Sequence, residues 1–73
     1  MIRYVPFAEV FYSNDVGEYV SFGIVAKDKY NRDIMRVSDI SVDEAFVNEL
    51  CRIFNANQLS LIHFSEVIDD VLG

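Results

Sequence analysis

Residues 33–54 read DIMRVSDISVDEAFVNELCRIF, and the apolar period changes inside that stretch. Asp33 to Ile40 (DIMRVSDI) has the β-branched content of a short strand. From Val42 onward the pattern is different: Phe46, Leu50, Ile53 and Phe54 recur at three- and four-residue spacing, with Val47 and Cys51 widening the stripe. The junction, Ser41-Val42-Asp43-Glu44, fits a capping box in which Ser41 accepts from the Glu44 amide and Glu44 reaches back to the Ser41 amide. Asp43 and Glu44 also lie where a helix dipole favours negative charge. The stretch therefore predicts a strand, a turn at Ser41 and a helix. That helix should stop near Asn55-Ala56-Asn57, because asparagine tolerates the left-handed conformation that ends helices.

Working outward, the residues before this junction read as strands. Glu18 to Lys27 (EYVSFGIVAK) alternates, with Val20, Phe22, Ile24 and Ala26 on one face and Tyr19, Ser21, Gly23 and Val25 on the other. Ile2 to Tyr12 (IRYVPFAEVFY) is rich in aromatic and β-branched residues, and Pro6 assigns it to a sheet edge or a bulge. The turn formers Ser13-Asn14-Asp15-Val16-Gly17 and the polar run Asp28 to Arg32 separate the strands by short connections, as in an antiparallel meander. After the junction helix, Ser60 is placed as a second N-cap. Leu61, Phe64, Val67, Ile68, Val71 and Leu72 then form another apolar stripe, with Ser65, Glu66, Asp69 and Asp70 outward. The expected fold is α+β, one domain over residues 1–73: a three-stranded antiparallel meander followed by two helices on one sheet face, βββαα.

Composition limits the function. The chain has 73 residues, a formal charge of −6 and 52% hydrophobic residues, which excludes intrinsic disorder. So short a chain closes its own core poorly, and its lone cysteine, Cys51, has no internal disulfide partner. A second protein chain is the expected added support, most simply as a homodimer. The low pI, about 4.4, argues against direct nucleic-acid or anionic-membrane binding. No stretch approaches the roughly 20 apolar residues of a membrane span, and Pro6 and Glu9 interrupt any signal-peptide core. A reducing cytoplasm is the expected compartment.

Seven of the ten aromatic residues lie in the first 30 positions: Tyr4, Phe7, Phe11, Tyr12, Tyr19, Phe22 and Tyr30. Helices on one sheet face bury only part of that set, so Tyr4, Phe7, Phe11, Tyr12 and Tyr19 form the expected interaction surface. Against it stands the ordinary scatter of aromatic residues over small proteins. Charge is segregated too: residues 1–26 carry −2, residues 27–36 carry +2 and residues 37–73 carry −6. Lys27, Lys29, Arg32 and Arg36 are diluted by Asp28 and Asp33 and read as a solvated hairpin tip. Glu66, Asp69 and Asp70 have no basic neighbour after Arg52 and form an alternative, acidic contact surface. The costs of such like-charge placement are tenths of a kcal/mol, so solubility explains them equally well.

No chemistry-bearing motif emerges. His63 and Cys51 are single, without the paired spacing of a zinc site, and Gly17, Gly23 and Gly73 are too scattered for a phosphate loop. The expectation is a non-enzymatic chain with no cofactor, metal or catalytic residue.

Three segments, Ser21-Phe22-Gly23-Ile24, Val37-Ser38-Asp39-Ile40-Ser41 and Leu59 to Asp70 (LSLIHFSEVIDD), carry a resemblance. Together they resemble a small, uncharacterised domain family of clostridia and related Gram-positive bacteria, over most of residues 19–72. Some of the short proteins that the chain resembles are carried on mobile, conjugative elements. The resemblance implies a cytosolic bacterial setting and brings no activity, ligand or site residue. Two functions follow from the residues themselves: a protein-interaction module working through the strand-one aromatics, or a small acidic regulator whose helical face occupies a basic surface on another protein.

Overall fold

The computed structural model describes residues 1–73. Three antiparallel strands, β1 (Arg3–Ser13), β2 (Gly17–Lys27) and β3 (Asp33–Ser41), form a meander in the order β1-β2-β3, followed by helices α1 (Glu44–Ala56) and α2 (Leu61–Leu72). This is the expected α+β, βββαα arrangement. Gly17, at φ 77°, closes the β1–β2 turn, where the Ser13 hydroxyl accepts the Asp15 N–H at 3.2 Å. At the β2–β3 turn the Asp28 carboxylate accepts the N–H groups of Tyr30 (2.8 Å) and Arg32 (3.0 Å) and the Arg32 Nε (2.8 Å). These bonds hold the Asp28 carboxyl below its usual range. Lys27 pairs with Asp33 at 2.6 Å, so two of the four hairpin cations are already neutralised within the turn.

Both helices pack on one sheet face. Tyr4, Ile24, Ala26 and Ile40 meet Val47, Leu50, Cys51 and Phe54 of α1 and Phe64 and Ile68 of α2. Ile40 reaches that layer through an irregularity in β3: Phe22 pairs with Ser41 but Ile24 with Val37, so β3 carries two extra residues. Asp39, at φ 54°, absorbs the bend. In α1, Val47 and Cys51 lie at the centre of the buried stripe, whereas Val42, Phe46 and Ile53 are exposed. The helix is rotated from the expected orientation, and the Phe46 and Ile53 side of the stripe extends past the sheet contact. Burial pushes the Cys51 thiol up to about 11.

The helix ends differ from expectation in detail. Asp43, not Ser41, is the N-cap of α1, accepting the Phe46 N–H at 3.3 Å. Ser41 ends β3 and its hydroxyl accepts the Asp43 N–H at 3.0 Å, so the strand keeps the residue that the capping box required. At the other end, Leu59 N–H bonds Phe54 C=O at 2.9 Å and Gln58 N–H bonds Asn55 C=O at 3.2 Å, a Schellman motif. Its left-handed residue is Gln58, at φ 51°, rather than an asparagine. Ser60 occupies the N-cap position of α2 without a side-chain bond. In α2, Phe64 and Ile68 are buried, while Val71 and Leu72 at its end are exposed.

That Schellman turn is tied to β1. The Tyr4 hydroxyl donates to the Leu59 carbonyl at 2.6 Å. Asn55 binds the outward backbone edge of Tyr4 twice, accepting its N–H at 2.7 Å and donating to its C=O at 2.9 Å. The Tyr4 ring packs against Phe64 (centroids 4.9 Å) and Phe54 (5.7 Å). Asn55→Ala should lower stability by about 2 kcal/mol, since two bonds are lost and the strand edge is left unpaired. Tyr4→Phe should cost about 1 kcal/mol by removing the hydroxyl alone. Urea unfolding followed by circular dichroism measures both; an Asn55→Ala variant as stable as the parent would contradict the tie.

Candidate interaction surface

Helix and strand rise at different rates, and that mismatch sets what the helices leave open. At ~1.5 Å per residue the 13-residue α1 spans about 20 Å, whereas 11-residue strands at ~3.3 Å per residue span about 36 Å. α1 runs back along β1, with Asn55 at Tyr4 and with Glu44 and Asn48 at a shallow cleft shared with Pro6, Phe7, Ala8 and Phe22. Beyond Ala8 the β1–β2 hairpin continues as an uncovered arm. On its helix side Val10 (64% exposed), Tyr12 (78%) and Val20 (47%) are bare, as is Val16 at the tip. The cleft at the root of the arm holds about 90 Å³, well under the ~300 Å³ at which pockets begin to enclose small ligands.

The opposite sheet face carries no helix. Val5, Phe7, Glu9 and Phe11 of β1 pair there with Val25, Gly23, Ser21 and Tyr19 of β2, and Arg36 of β3 pairs with Val25. Ser21, Gly23 and Val25 are nevertheless buried, because larger side chains from the flanking strands lean over the middle one. Phe7 shows how: its ring lies over Gly23, and the Arg36 guanidinium lies 4.2 Å from the ring centroid on top of it. Phe11 and Tyr19 are direct cross-strand partners with stacked rings 5.7 Å apart. The Ser21 hydroxyl donates to the Ser41 carbonyl at 3.2 Å. Opposite Ser21, Glu9 has one carboxylate oxygen, Oε1, sealed from solvent with no donor.

The five expected surface residues therefore divide. Phe7, Phe11 and Tyr19 share the helix-free face, each half-buried. Tyr12 lies on the other face, exposed because α1 ends short of it. Tyr4 does not belong to the surface: it is 1% exposed, and strand parity directs it under the helices. Glu66, Asp69 and Asp70 are exposed on α2, where His63 Nδ1 lies 3.6 Å from the Glu66 carboxylate. Local sequence reasoning missed Glu9 on the helix-free face and Val10 and Val20 as surface residues, and it assigned Arg36 to the solvated hairpin tip, whereas Arg36 lies within β3 with its guanidinium over the Phe7 ring. Val10 and Val20 were discoverable by comparing helix and strand lengths.

The model of a family of unknown function, DUF6514, matches residues 2–73. The chain belongs to the DUF6514 family. The match covers the whole βββαα unit, including β1, which the resemblance over residues 19–72 had left outside. No curated protein and no solved structure matches the chain. No helix of this DUF6514 chain is long and apolar enough to cross a membrane.

Gly23 is the low point over which the helix-free face closes. A Cβ there would stand 2.3 Å from the Val37 carbonyl and 2.8 Å from the Phe7 ring. Gly23→Ala should cost about 2 kcal/mol or more and loosen Phe7, a change visible as a lowered urea midpoint and shifted Phe7 ring resonances. Unchanged stability would mean that Phe7 does not rest on Gly23.

Proposed function

We propose that this DUF6514 chain is a non-enzymatic protein-interaction module whose contact element is the β1–β2 hairpin. One observation carries the reading: the hairpin outruns α1 and leaves apolar residues on both of its faces, Val10, Tyr12 and Val20 on one and Phe7, Phe11 and Tyr19 on the other. A two-stranded ribbon bare on one side and half-closed on the other is marginal alone, and a partner laid against it removes that weakness. The non-enzymatic part is supported by the two single-copy nucleophile or base candidates. Cys51 is buried, with its thiol raised to about 11, so on the order of a thousandth is thiolate at pH 8. His63 lies exposed on α2, on the surface rather than in the cleft. A lone buried thiol also suits a reducing cytoplasm, and a Gram-positive bacterial host with a mobile-element context belongs to the same reading.

The acidic alternative rests on Glu66, Asp69 and Asp70, all exposed on a helix without a basic residue in its last turn. The two readings separate in one experiment. Affinity capture from the native host is run with the wild type, with Val10→Glu plus Val20→Glu, and with Glu66→Lys, Asp69→Lys and Asp70→Lys combined. The arm variant should lose the captured protein while keeping the parent's circular dichroism and melting temperature within about 3 °C, since both valines lie outside the core. Loss only in the lysine variant, with steep salt dependence, would replace the hairpin by the acidic helix as the contact.

A further inference from the structure

We propose that a second copy of this chain pairs with the outer edge of β1, antiparallel about Val10, so that two meanders join into one six-stranded sheet. The proposal rests on the interaction-module reading and names the partner of its hairpin. Every second residue of β1 turns its N–H and C=O away from β2. Tyr4 is the first of these, and Asn55 meets both of its groups. Pro6 follows and lacks the donor. Ala8, Val10 and Tyr12 come next on the same parity, all exposed, and no turn, loop or cap bond reaches their backbone groups. Three amides and three carbonyls are thus open in a row, which is the template for an added strand.

The other edge of the sheet is defended. β3 is shorter, its register shifts twice, Asp39 sits at φ 54°, and Asp33, Arg36 and Asp39 charge it. β1 keeps an unbroken register from Arg3 to Ser13 and carries one charge after Tyr4, that of Glu9. Register then singles out the second copy. Turned about Val10, two β1 strands pair Val10 with its copy and Ala8 with Tyr12 in both directions, and all six open groups of each chain are bonded. Turned about Glu9, the two carboxylates meet and Tyr12 faces Pro6, which has no N–H to give. Turned about Phe11, Ala8 faces the turn residue Asn14 instead of a strand. Only the Val10 axis uses the whole open edge, and it sets Pro6 just past Ser13, where the strand of the second copy ends.

The side chains agree with that axis. Ala8 is small, whereas Tyr12 is large and 78% exposed on the arm that α1 does not reach. Pairing them sets the Tyr12 ring of one copy beside Ala8 of the other, at the mouth of the cleft that Ala8 lines with Phe22, Glu44 and Asn48. Glu44 and Asn48 offer acceptors to the incoming hydroxyl. The helices do not collide, because α1 covers Tyr4 to Ala8 and each covered stretch lies beside the bare arm of the other copy. The contact is small: a paired strip about 17 Å long and two tyrosines of roughly 150–250 Å² each bring it to about 1,000 Å², the lower bound of specific interfaces. Backbone bonds rather than area therefore carry it, and dissociation is micromolar.

Sedimentation equilibrium of the full chain, from about 10 µM to 1 mM, should show the mass rising from 8.4 kDa toward twice that value. High salt should leave association unchanged or tighter, since each copy carries −6. Val10→Pro removes the central edge amide without touching the β1–β2 ladder and should weaken association at least about tenfold. Tyr12→Ala, which empties the cleft, should weaken it about tenfold. Register is read by cross-linking with oxidised glutathione: Val10→Cys should give a disulfide-linked dimer and Ala8→Cys should not. Val10 meets its copy at ~5.5 Å between Cα atoms, whereas the two Ala8 residues stand about 14 Å apart. Circular dichroism accompanies each variant, and if Val10→Pro does not fold, Tyr12→Ala and the cross-link decide. A monomeric wild type at 1 mM overturns the proposal, as does a dimer that a folded Val10→Pro leaves intact, or cross-linking through Ala8 rather than Val10. If the wild type is monomeric yet host capture is lost in Val10→Glu plus Val20→Glu, the hairpin remains the contact and self-pairing fails. If the wild type is monomeric and that variant captures as well as the parent, both readings fail.

Discussion

Tyr4 joins the two halves of this molecule, and the rest of the arrangement depends on that junction. Its backbone edge is held by Asn55, its hydroxyl by the Leu59 carbonyl, and its ring by Phe54 and Phe64. Ile24, Ala26 and Ile40 give β2 and β3 a helix-side layer, whereas β1 is apolar on both parities. Tyr4 fixes β1 to that layer: its side chain enters the core while its N–H and C=O lie on the open strand edge. Asn55 then acts as a short length of neighbouring strand, pairing the edge where it would otherwise be free. Pro6, two residues on, has the same backbone orientation and lacks an N–H, so it removes the next donor from that edge.

With α1 anchored at Tyr4, its length decides everything further out. The helix advances less than half as far per residue as the strands beside it, so it is exhausted by Ala8 and Phe22. Val10, Tyr12 and Val20 continue the core parity of their strands with nothing above them. The opposite face solves the same problem differently. It sets Ser21 and Gly23 in the middle strand and lets Phe7 and its neighbours fold inward, which buries the centre without a second layer. The hairpin is thus bare on one side and half-closed on the other.

Much of this was legible in the sequence because the elements are locally consistent. β2 alternates cleanly, the change of period after Ile40 separates sheet from helix, and the apolar stripe of Leu61 to Leu72 coincides with α2. β1 was legible as a strand but not as to its faces. Tyr4, Val10 and Tyr12 on one parity and Val5, Phe7 and Phe11 on the other are equally apolar, so alternation could not separate core from surface. What separates them are bonds to residues 51 and 55 positions away, which leave no local trace. The α1 N-terminus was misplaced for a related reason. Ser41 and Asp43 are both good caps, and the pairing of Ser41 with Phe22, a tertiary fact, assigns Ser41 to the sheet.

The acidity of the chain takes on a more definite meaning once the layers are known. The helices and the α1 cap supply half of the twelve acidic residues, whereas the helix-free face carries Glu9 among Phe7, Phe11, Tyr19 and Arg36. Solubility alone would be served by acid on either side of the sheet. With half of the acid on the helix side, the helix-free parity of β1 and β2 carries a single carboxylate, Glu9. Phe11 and Tyr19 hold stacked rings directly across the strand pair, so the outer half of this face carries aromatic rather than charged side chains.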